Sequence, residues 1–247
     1  MTKVFASGTA SPGRAVLRRL DLTIYSQECL LIAGSNGSGK TVLMKLLAGL
    51  QEPSEGEILF QGKPLAKTGD SLRGALGLVF QDPDAQLIGE TVEEDAAFGP
   101  RNLGFSPDQA AKQAAWALAA AGLEGKKDLP PRRLSGGEKR RLAVAGVIAM
   151  GCGTIIMDEP FANLDWPGVV QVLEIIRDLK QTRKTVIILT HELEKVLALA
   201  DRLLILHQGR VRDDGKPQEV LERLKPEYGI RNPLHGYARV ADCSWLA

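Results

Sequence analysis

The residues most suited to chemistry lie in one short stretch, GSNGSGKT. Its glycines permit backbone conformations that a side chain would forbid, so successive N–H groups can turn inward around an anion. Lys40 adds a positive charge for the β- and γ-phosphates of a nucleotide, and the Thr41 hydroxyl is suited to Mg²⁺. By residue frequencies, a chance match in a chain of this length is on the order of 1%. The predicted phosphate-binding residues are Gly34, Ser35, Asn36, Gly37, Ser38, Gly39, Lys40 and Thr41.

Two adjacent acids follow a second apolar stretch, in the sequence TIIMDEP. Asp158 is suited to the Mg²⁺ shell, and Glu159 is suited to the water that attacks a γ-phosphate. Adjacent acids after a buried strand can also do no more than cap a loop. We favour the metal and catalytic interpretation because the glycine loop occurs in the same chain.

A histidine and a glutamine also follow apolar stretches. His191 comes directly after VIILT, where a neutral imidazole can bond the γ-phosphate and its water. Gln81 follows LGLVF, and Pro83 blocks a regular continuation of that strand, so the amide can reach the metal or the water from a loop. A histidine at a strand end is more often structural, and a glutamine by itself is weak evidence. Both roles therefore depend on the nucleotide chemistry predicted above.

A second anion-binding position is predicted where the stretch LSGGEKRRLAVAGVIAM begins. Ser135, Gly136 and Gly137 lie at the start of a predicted helix, whose N-terminal N–H groups can bind a phosphate. An ordinary capped helix is the alternative. Physical reasoning from these residues does not decide between the two.

Taken in order, the motifs resemble the complete set found in the ATP-binding-cassette (ABC) ATPases. The motifs are GSNGSGKT, Gln81, LSGGEKRR, IIMDEP, ANLD and His191. The resemblance covers about residues 3–220, and the LSGGE signature is the mark of this family among phosphate-loop ATPases. The stretch VFQDPDAQLIGETVEEDAAFGPRNLG is similar to the ATPases of energy-coupling factor (ECF) transporters, including the cobalt and nickel importers.

This resemblance implies a motor subunit that hydrolyses ATP to energise uptake of a micronutrient, either a metal ion or a vitamin. In the family, two cassettes pack head to tail, so each ATP lies between the phosphate loop of one chain and Ser135, Gly136 and Gly137 of the other. Asp165 would lie at that interface. The implied cofactors are ATP and Mg²⁺. The implied catalytic residues are Glu159, His191, Gln81 and Lys40, and the implied metal ligands are Thr41, Gln81 and Asp158.

The resemblance also implies partners and a location. The partners are a second ABC ATPase chain, identical or different, an integral membrane coupling protein and a substrate-binding membrane protein. The chain would act as a peripheral protein on the cytoplasmic face of the cell membrane. No nucleic-acid partner is expected, since a net charge of +1 gives no overall attraction to it.

Other function classes remain as alternatives. One is an ABC ATPase of another transporter type, and another is an ABC ATPase of DNA repair or translation. The repair or translation class would need a long coiled-coil insert, a zinc site or a second cassette, which a chain of 247 residues does not show. A nucleotide-gated binding module that scarcely hydrolyses is a third alternative, against which Glu159 argues.

The alternation of strand and helix patterns around these motifs predicts an α/β fold. It has a phosphate-loop (RecA-like) core with a mostly parallel sheet, an antiparallel β part and an inserted helical signature subdomain. Strands are predicted over 30–33, 76–80, 154–157, 186–190 and 203–207, and HQGRV predicts a hairpin turn. We expect an ATPase domain over 1–220, with the helical subdomain at about 86–149, and a tail over 221–247 without an assigned role.

Within the helical subdomain, SPDQAAKQAAWALAAAGLEG predicts a helix with Ser106 as its N-cap and Pro107 in its first turn. The stripe that contains Trp116 and Leu118 is interpreted as its packing face. A basic concentration around the signature is interpreted as solvated surface. It comprises Lys126, Lys127, Arg132, Arg133, Lys139, Arg140 and Arg141.

Composition limits the remaining possibilities. The longest apolar runs are far shorter than the roughly 20 residues that a membrane-spanning helix needs. Three cysteines, Cys29, Cys152 and Cys243, lack metal-ligand or redox spacing, which predicts inert thiols in a reducing compartment.

The chain also departs from the family pattern at some positions. Ala10 stands about where the family stacks an aromatic residue on the adenine ring, so Phe5 is a candidate for that role, as is a looser adenine site. Smaller or different residues are common in the family at the positions of Phe161, Asn163 and Trp166, which affects the expected loop geometry rather than the chemistry.

Overall fold

The computed structural model describes residues 3–4, 15–68 and 72–234. Within these ranges the strands are β1 (Lys3–Val4), β2 (Ala15–Leu17), β3 (Cys29–Ala33), β4 (Leu59–Phe60), β5 (Lys63–Pro64), β6 (Leu76–Val79), β7 (Thr154–Asp158), β8 (Thr185–Thr190), β9 (Arg202–His207) and β10 (Arg210–Gly215). The helices are α1 (Lys40–Leu47), α2 (Val92–Asn102), α3 (Pro107–Ala120), α4 (Gly136–Ala149), α5 (Trp166–Gln181), α6 (Leu193–Val196) and α7 (Pro217–Glu222).

Six strands form the central sheet, in the order β10-β9-β3-β8-β7-β6. All neighbours are parallel except β10, which runs antiparallel to β9 after a turn in which Gln208 and Gly209 have φ of 50° and 72°. The predicted α/β class, the mostly parallel sheet and the hairpin are confirmed. Every predicted core strand agrees with an observed one to within one residue at each end.

The central strands read as unbroken apolar runs because both faces of the sheet are covered. In β3, Leu30 and Ile32 pack in one core with the apolar side of α1, while Leu31 and Ala33 pack in the other with α4 and α5. All five residues of β3 are buried. Side chains of a strand alternate between faces, so a strand between two layers needs apolar residues at every position.

The helices α2, α3 and α4 pack together as a helical lobe that shares one hydrophobic core with the sheet, and small side chains along α3 allow their close approach. Ser106 caps α3 as predicted, since its hydroxyl accepts a bond from the Gln109 N–H while the Gln109 side chain bonds the Ser106 N–H. The interpretation of Trp116 as part of the packing face is wrong: Leu118 is buried, but Trp116 is 52% exposed. The two residues are only two positions apart, so they lie on different sides of a helix.

The described part of the tail lies against the core. Leu221, Tyr228 and Ile230 are buried in the same cluster as the helical lobe. A Cβ at Gly229 would lie 3.2 Å from the Cβ of Ser35, so this segment reaches the predicted phosphate loop. The domain division at residue 220 stays a prediction. Ala10, Phe5 and Cys243 lie outside the described residues.

The described thiols and helices agree with two predictions from composition, inert thiols and apolar runs too short to span a membrane. Cys29 and Cys152 are buried and unpaired, and burial raises the pKa of the Cys29 thiol to about 12 and raises that of Cys152 as well. Both thiols therefore stay protonated and unreactive at neutral pH. Within the described ranges, no helix combines the length and the apolar character needed to cross a bilayer.

The contrast on α3 gives a stability prediction. Leu118→Ala should lower the free energy of unfolding by about 2–5 kcal/mol, because it leaves a cavity in a packed core. Trp116→Ala is the matched control on the same helix and should cost clearly less, since half of that side chain is in solvent. Equilibrium urea denaturation measures both changes. Equal losses would show that Trp116 packs into the lobe after all.

Candidate active site

The predicted phosphate loop connects β3 to α1 at the carboxyl edge of the sheet. The Ser38 N–H donates to the Ser35 carbonyl at 3.1 Å, and Gly39 precedes the helix with a φ of 108°. Gly37 also has a positive φ, of 78°. These turns lead the chain from the strand into the helix, and phosphate binding in the loop stays a prediction.

Close neighbours explain two of the glycines. A Cβ at Gly34 would lie 2.4 Å from the Ser38 Oγ and 2.5 Å from the Leu206 carbonyl oxygen. A Cβ at Gly39 would lie 2.6 Å from the Leu17 Cδ2. A side chain at Gly34 would therefore require movement of the main chain, whereas one at Gly39 would require movement of the Leu17 side chain and would be strained by the positive φ.

Lys40 begins α1 and turns its side chain into the loop. Its side chain is 6% exposed, and its ammonium donates to the Gly34 carbonyl at 2.6 Å. The same nitrogen lies 3.5 Å from the Glu159 Oε1. The lysine therefore links the phosphate loop to the predicted catalytic acid.

Thr41 and Asp158 meet beside this lysine. The Thr41 hydroxyl donates to the Asp158 Oδ2 at 2.8 Å, and Asp158 is fully buried at the end of β7. Burial raises the pKa of the Asp158 carboxyl, although the bond from Thr41 opposes that shift. The other carboxylate oxygen, Oδ1, is buried and has no hydrogen-bond partner among the described residues.

A divalent cation fits this arrangement. An orphaned carboxylate oxygen beside a hydroxyl is the oxygen set that Mg²⁺ takes from a protein when phosphates and water supply the rest. Among the described residues, no three His, Cys, Asp or Glu side chains cluster as an all-protein metal cage would require. The Thr41 hydroxyl and the Asp158 carboxylate therefore fit two of the oxygen ligands of such an ion.

Glu159 is held by several contacts. Its φ of 48° is left-handed, and its carboxylate accepts a bond from the Thr190 hydroxyl at 2.7 Å. The Nδ1 of His191 lies 2.8 Å from the other carboxylate oxygen. In the neutral ring that nitrogen then carries the proton, which leaves Nε2 as an acceptor. Thr190 was not predicted, although a threonine that ends an otherwise apolar strand was a signal in the sequence.

The predicted glutamine lies on the loop after β6. The Gln81 side chain is exposed, and its main-chain carbonyl is bound by Arg140. A different amide in this segment is fixed: the Gln86 Oε1 accepts the Phe80 N–H at 3.0 Å, and its Nε2 donates to the Leu78 carbonyl at 3.3 Å. Gln86 was not predicted, and it holds the loop to the end of β6.

The signature residues lie at the exposed start of α4. Ser135 and Glu138 form a reciprocal cap, and both Ser135 and Gly136 are exposed. The atoms nearest to a Cβ at Gly137 belong to Leu164, Asn163 and Arg141, not to the phosphate loop. The contacts of Gly137 therefore lie with the loop that follows Glu159.

That following loop contains the three departures noted in the sequence. Phe161 is fully buried, and Asn163 takes a left-handed φ of 59°. Trp166 is 77% exposed at the first turn of α5, whose N-cap is Asp165. The large apolar side chain of Phe161 is thus accommodated in the core.

The surface interpretation of the basic concentration is wrong for Arg140. This residue is only 4% exposed, and its guanidinium bonds the carbonyls of Gln81 and Glu159. The signal was the apolar character of α4 after the signature: positions 142–145 and 147–149 are all buried, so this helix is covered on most sides. Lys126 and Lys139 pair with Glu138 and Asp84 respectively.

Comparison with known proteins agrees with this geometry. Residues 17–162 match the sequence profile of the family described as ABC transporter. The chain is 40% identical over 211 residues to the energy-coupling factor transporter ATP-binding protein EcfA of Methanocaldococcus jannaschii, an overlap of 84% of this chain and 76% of the relative.

Solved structures share the fold. CbiO1 from Clostridium perfringens, part of the ABC transporter complex cbiONQ, superposes with a TM-score of 0.76 at 35% identity, over 89% of this chain and 88% of that one. The ATP-binding cassette MJ0796, in a dimeric post-hydrolysis state bound to ADP and Pi, gives a TM-score of 0.80 at 27% identity, over 87% of this chain and 96% of that one.

The first glycine gives a prediction about the loop. Gly34→Ala should destabilise the protein by roughly 1–3 kcal/mol, because the new methyl group overlaps a main-chain carbonyl that cannot rotate away. Gly136→Ala is the matched control, since no described atom lies within 4 Å of a Cβ there. Thermal unfolding followed by circular dichroism compares the two. A Gly34→Ala protein as stable as the control would contradict the observed loop geometry.

The buried acid gives a pH-dependent prediction. Because the pKa of Asp158 is raised, the folded state binds its proton more tightly than the unfolded state, so the ionised carboxylate costs stability at high pH. Asp158→Asn should therefore raise the Tm of the nucleotide-free protein most at high pH. The gain should shrink as the pH falls through the raised pKa.

Thermal melts across pH measure this difference. Asp178→Asn, on the exposed side of α5, is the control and should change the Tm by no more than about one degree. An Asp158→Asn protein that is less stable at every pH would mean that the bond from Thr41 outweighs the cost of burial.

Proposed function

The chain belongs to the ABC transporter family, and from that premise we propose that it is the ATP-hydrolysing motor subunit of an ECF-type importer. The observation that carries the proposal is the position of Glu159, a buried carboxylate that contacts the phosphate-loop lysine, a threonine hydroxyl and a histidine. The 40% identity to an ECF transporter ATPase supports the subfamily.

Binding of the nucleotide follows from the loop. The β- and γ-phosphates of ATP lie in the turn between Gly34 and Thr41, against the N-terminus of α1. The Lys40 ammonium has three donors and bonds the Gly34 carbonyl at 2.6 Å and the Ser35 carbonyl at 3.4 Å, which leaves the third donor for a phosphate oxygen or the Glu159 carboxylate. Its charge neutralises part of the charge of the phosphates.

Hydrolysis needs a base and a way to hold it. Glu159 accepts a proton from the attacking water, while the Thr190 hydroxyl and the His191 ring fix the direction of its carboxylate. The free Nε2 of His191 is available to the water or the γ-phosphate. The Lys40 ammonium, 3.5 Å from the Glu159 Oε1, places this base directly beside the phosphate loop.

Mg²⁺ would be held by Thr41 and Asp158, with Gln81 approaching from its loop. When bound, the ion would neutralise part of the negative charge of the phosphates. The orphaned Asp158 Oδ1 is the observation that supports this site.

The exposed signature supports a shared site between two chains. The start of α4 is exposed and contacts the loop after Glu159, so its N–H groups are available to a nucleotide held by another subunit. ATP would then lie between the phosphate loop of one chain and Ser135, Gly136 and Gly137 of its partner. The similarity to a dimeric cassette with ADP and Pi bound supports this arrangement.

A groove beside the Gln81 loop suits the membrane coupling protein. Its volume is about 880 Å³, and it lies between α1 and the helical lobe. The exposed apolar side chains of Ile88 and Phe98 line it. An amphipathic helix of an integral membrane protein would bury these residues and place the chain at the cytoplasmic face of the membrane.

The cargo is a micronutrient, a metal ion or a vitamin, carried by a separate substrate-binding membrane protein. The similarity to EcfA and to a component of the cbiONQ complex supports this class of importer. Nucleic acid is not among the proposed partners.

Glu159→Gln tests the proposal. This variant should still bind ATP and should form a stable dimer in Mg-ATP. The amide keeps the shape of the site but cannot act as the base, so hydrolysis no longer opens the dimer. Light scattering with and without Mg-ATP measures the molar mass. Glu159→Gln combined with Ser135→Arg is the control and should stay monomeric, since the arginine side chain would occupy the space next to the γ-phosphate of the ATP that the partner chain binds.

Retained ATP turnover in Glu159→Gln would contradict the role of the carboxylate. A Glu159→Gln protein that stays monomeric in saturating Mg-ATP would contradict a site shared between two copies of this chain.

A further inference from the structure

Arg140 connects two segments that differ in role. It lies on α4, five residues after Ser135, and only 4% of its surface is exposed. Its Nη1 donates to the Glu159 carbonyl at 2.8 Å, and its Nη2 donates to the Gln81 carbonyl at 2.7 Å. One rigid guanidinium therefore fixes the distance between the Gln81 loop and the catalytic acid.

The bond to Glu159 acts where the backbone is strained. A non-glycine residue rarely adopts a left-handed φ such as the 48° of Glu159 and needs neighbours that impose it. The Glu159 N–H donates to the Leu189 carbonyl at 2.8 Å, and the Glu159 carbonyl accepts from Arg140 and, at 3.2 Å, from the Ala162 N–H. These bonds set the peptide planes and hence the direction in which the side chain leaves the backbone.

The partners of Arg140 indicate a geometric role. Both bonds go to main-chain carbonyls, although four carboxylates (Asp82, Asp158, Glu159 and Glu192) lie near enough to influence the group. Two neighbouring nitrogens of a planar fork can reach two separate carbonyls at once, whereas the single nitrogen of a lysine cannot hold both in the same directions. A residue that acted only through its positive charge would not need two directed bonds to main-chain carbonyls.

We propose that Arg140 is a positioning residue, which holds the Glu159 carboxylate in its catalytic direction by tying the Glu159 carbonyl to the Gln81 loop. This inference rests on the proposed role of Glu159 as the base. Arg140 itself contacts neither water nor nucleotide in this scheme.

The neighbouring Lys139 provides a matched control. It too joins α4 to the Gln81 loop, through a bond of 2.6 Å from its ammonium to the Asp84 carboxylate. That ammonium bonds Asp84 and not Glu159. Lys139→Met therefore loosens the loop without removing a bond to the acid.

The test compares steady-state ATP hydrolysis by Arg140→Lys, Arg140→Ala and Lys139→Met. Arg140→Lys keeps the charge but loses the fork, and a carboxylate displaced by about 1 Å can cost on the order of 100-fold in rate. We expect kcat to fall at least about tenfold, while the KM for ATP changes by less than about twofold. Lys139→Met should keep the wild-type kcat.

Chemical rescue separates position from charge. Ethylguanidinium should restore part of the kcat of Arg140→Ala, whereas ethylammonium at the same concentration should not. Wild-type kcat in Arg140→Lys, or equal rescue by both cations, would overturn the proposal in favour of a charge effect. An equal loss in Lys139→Met would overturn it in favour of loop anchoring.

Two further measurements make each outcome decisive. Thermal melts show whether the Arg140 variants fold; unfolding of both would assign Arg140 to stability and overturn the positioning role. Glu159→Gln is assayed in parallel. If it retains turnover, the proposed function fails, whatever the Arg140 variants do, and the two failures are thereby distinguished.

Discussion

The structure depends on the parallel pairing of the central strands β3, β8 and β7, whose carboxyl ends lie side by side. In that register Ala33 lies opposite Thr190, and Asp158 lies opposite Leu189. Three loops from distant parts of the chain therefore leave the sheet side by side. Because the carboxyl ends of parallel strands all lie on the same side of the sheet, strand direction alone brings the phosphate loop, the acids and His191 together. Both helical layers serve to bury this sheet and thereby fix the edge.

Much of this arrangement could be predicted from the sequence because burial on both faces leaves a continuous apolar pattern. The strands before Gly34, Asp158 and His191 were each found this way, and each was followed at once by its functional residue. The N-caps of α3 and α4 also have a signal in the sequence, since Ser106 and Ser135 are each followed three residues later by a glutamine or glutamate that completes a reciprocal bond. Local patterns with a local physical cause were predictable.

The errors arose where the cause is not local. Arg140 was assigned to the surface with its basic neighbours, since the carbonyls that it binds lie 19 and 59 residues away along the chain. Trp116 was assigned to the same packing stripe as Leu118, yet α3 packs chiefly through alanines small enough for close helix contact. Thr190 and Gln86 were missed because their partners belong to other elements. Only tertiary contacts identify such residues.

The crowding around the phosphate loop has a consequence for chimeric proteins. Gly34 is confined by the Leu206 carbonyl, and Ser35 is covered by Gly229, so the walls of the loop come from the last third of the chain. Gly209 is likewise pressed against the Val16 carbonyl, at 2.0 Å from where its Cβ would lie. Exchange of the β9–β10 hairpin or the following turn between relatives therefore transplants part of the loop's wall. A chimera with a crossover point in that region must therefore keep Gly34, Gly209 and Gly229.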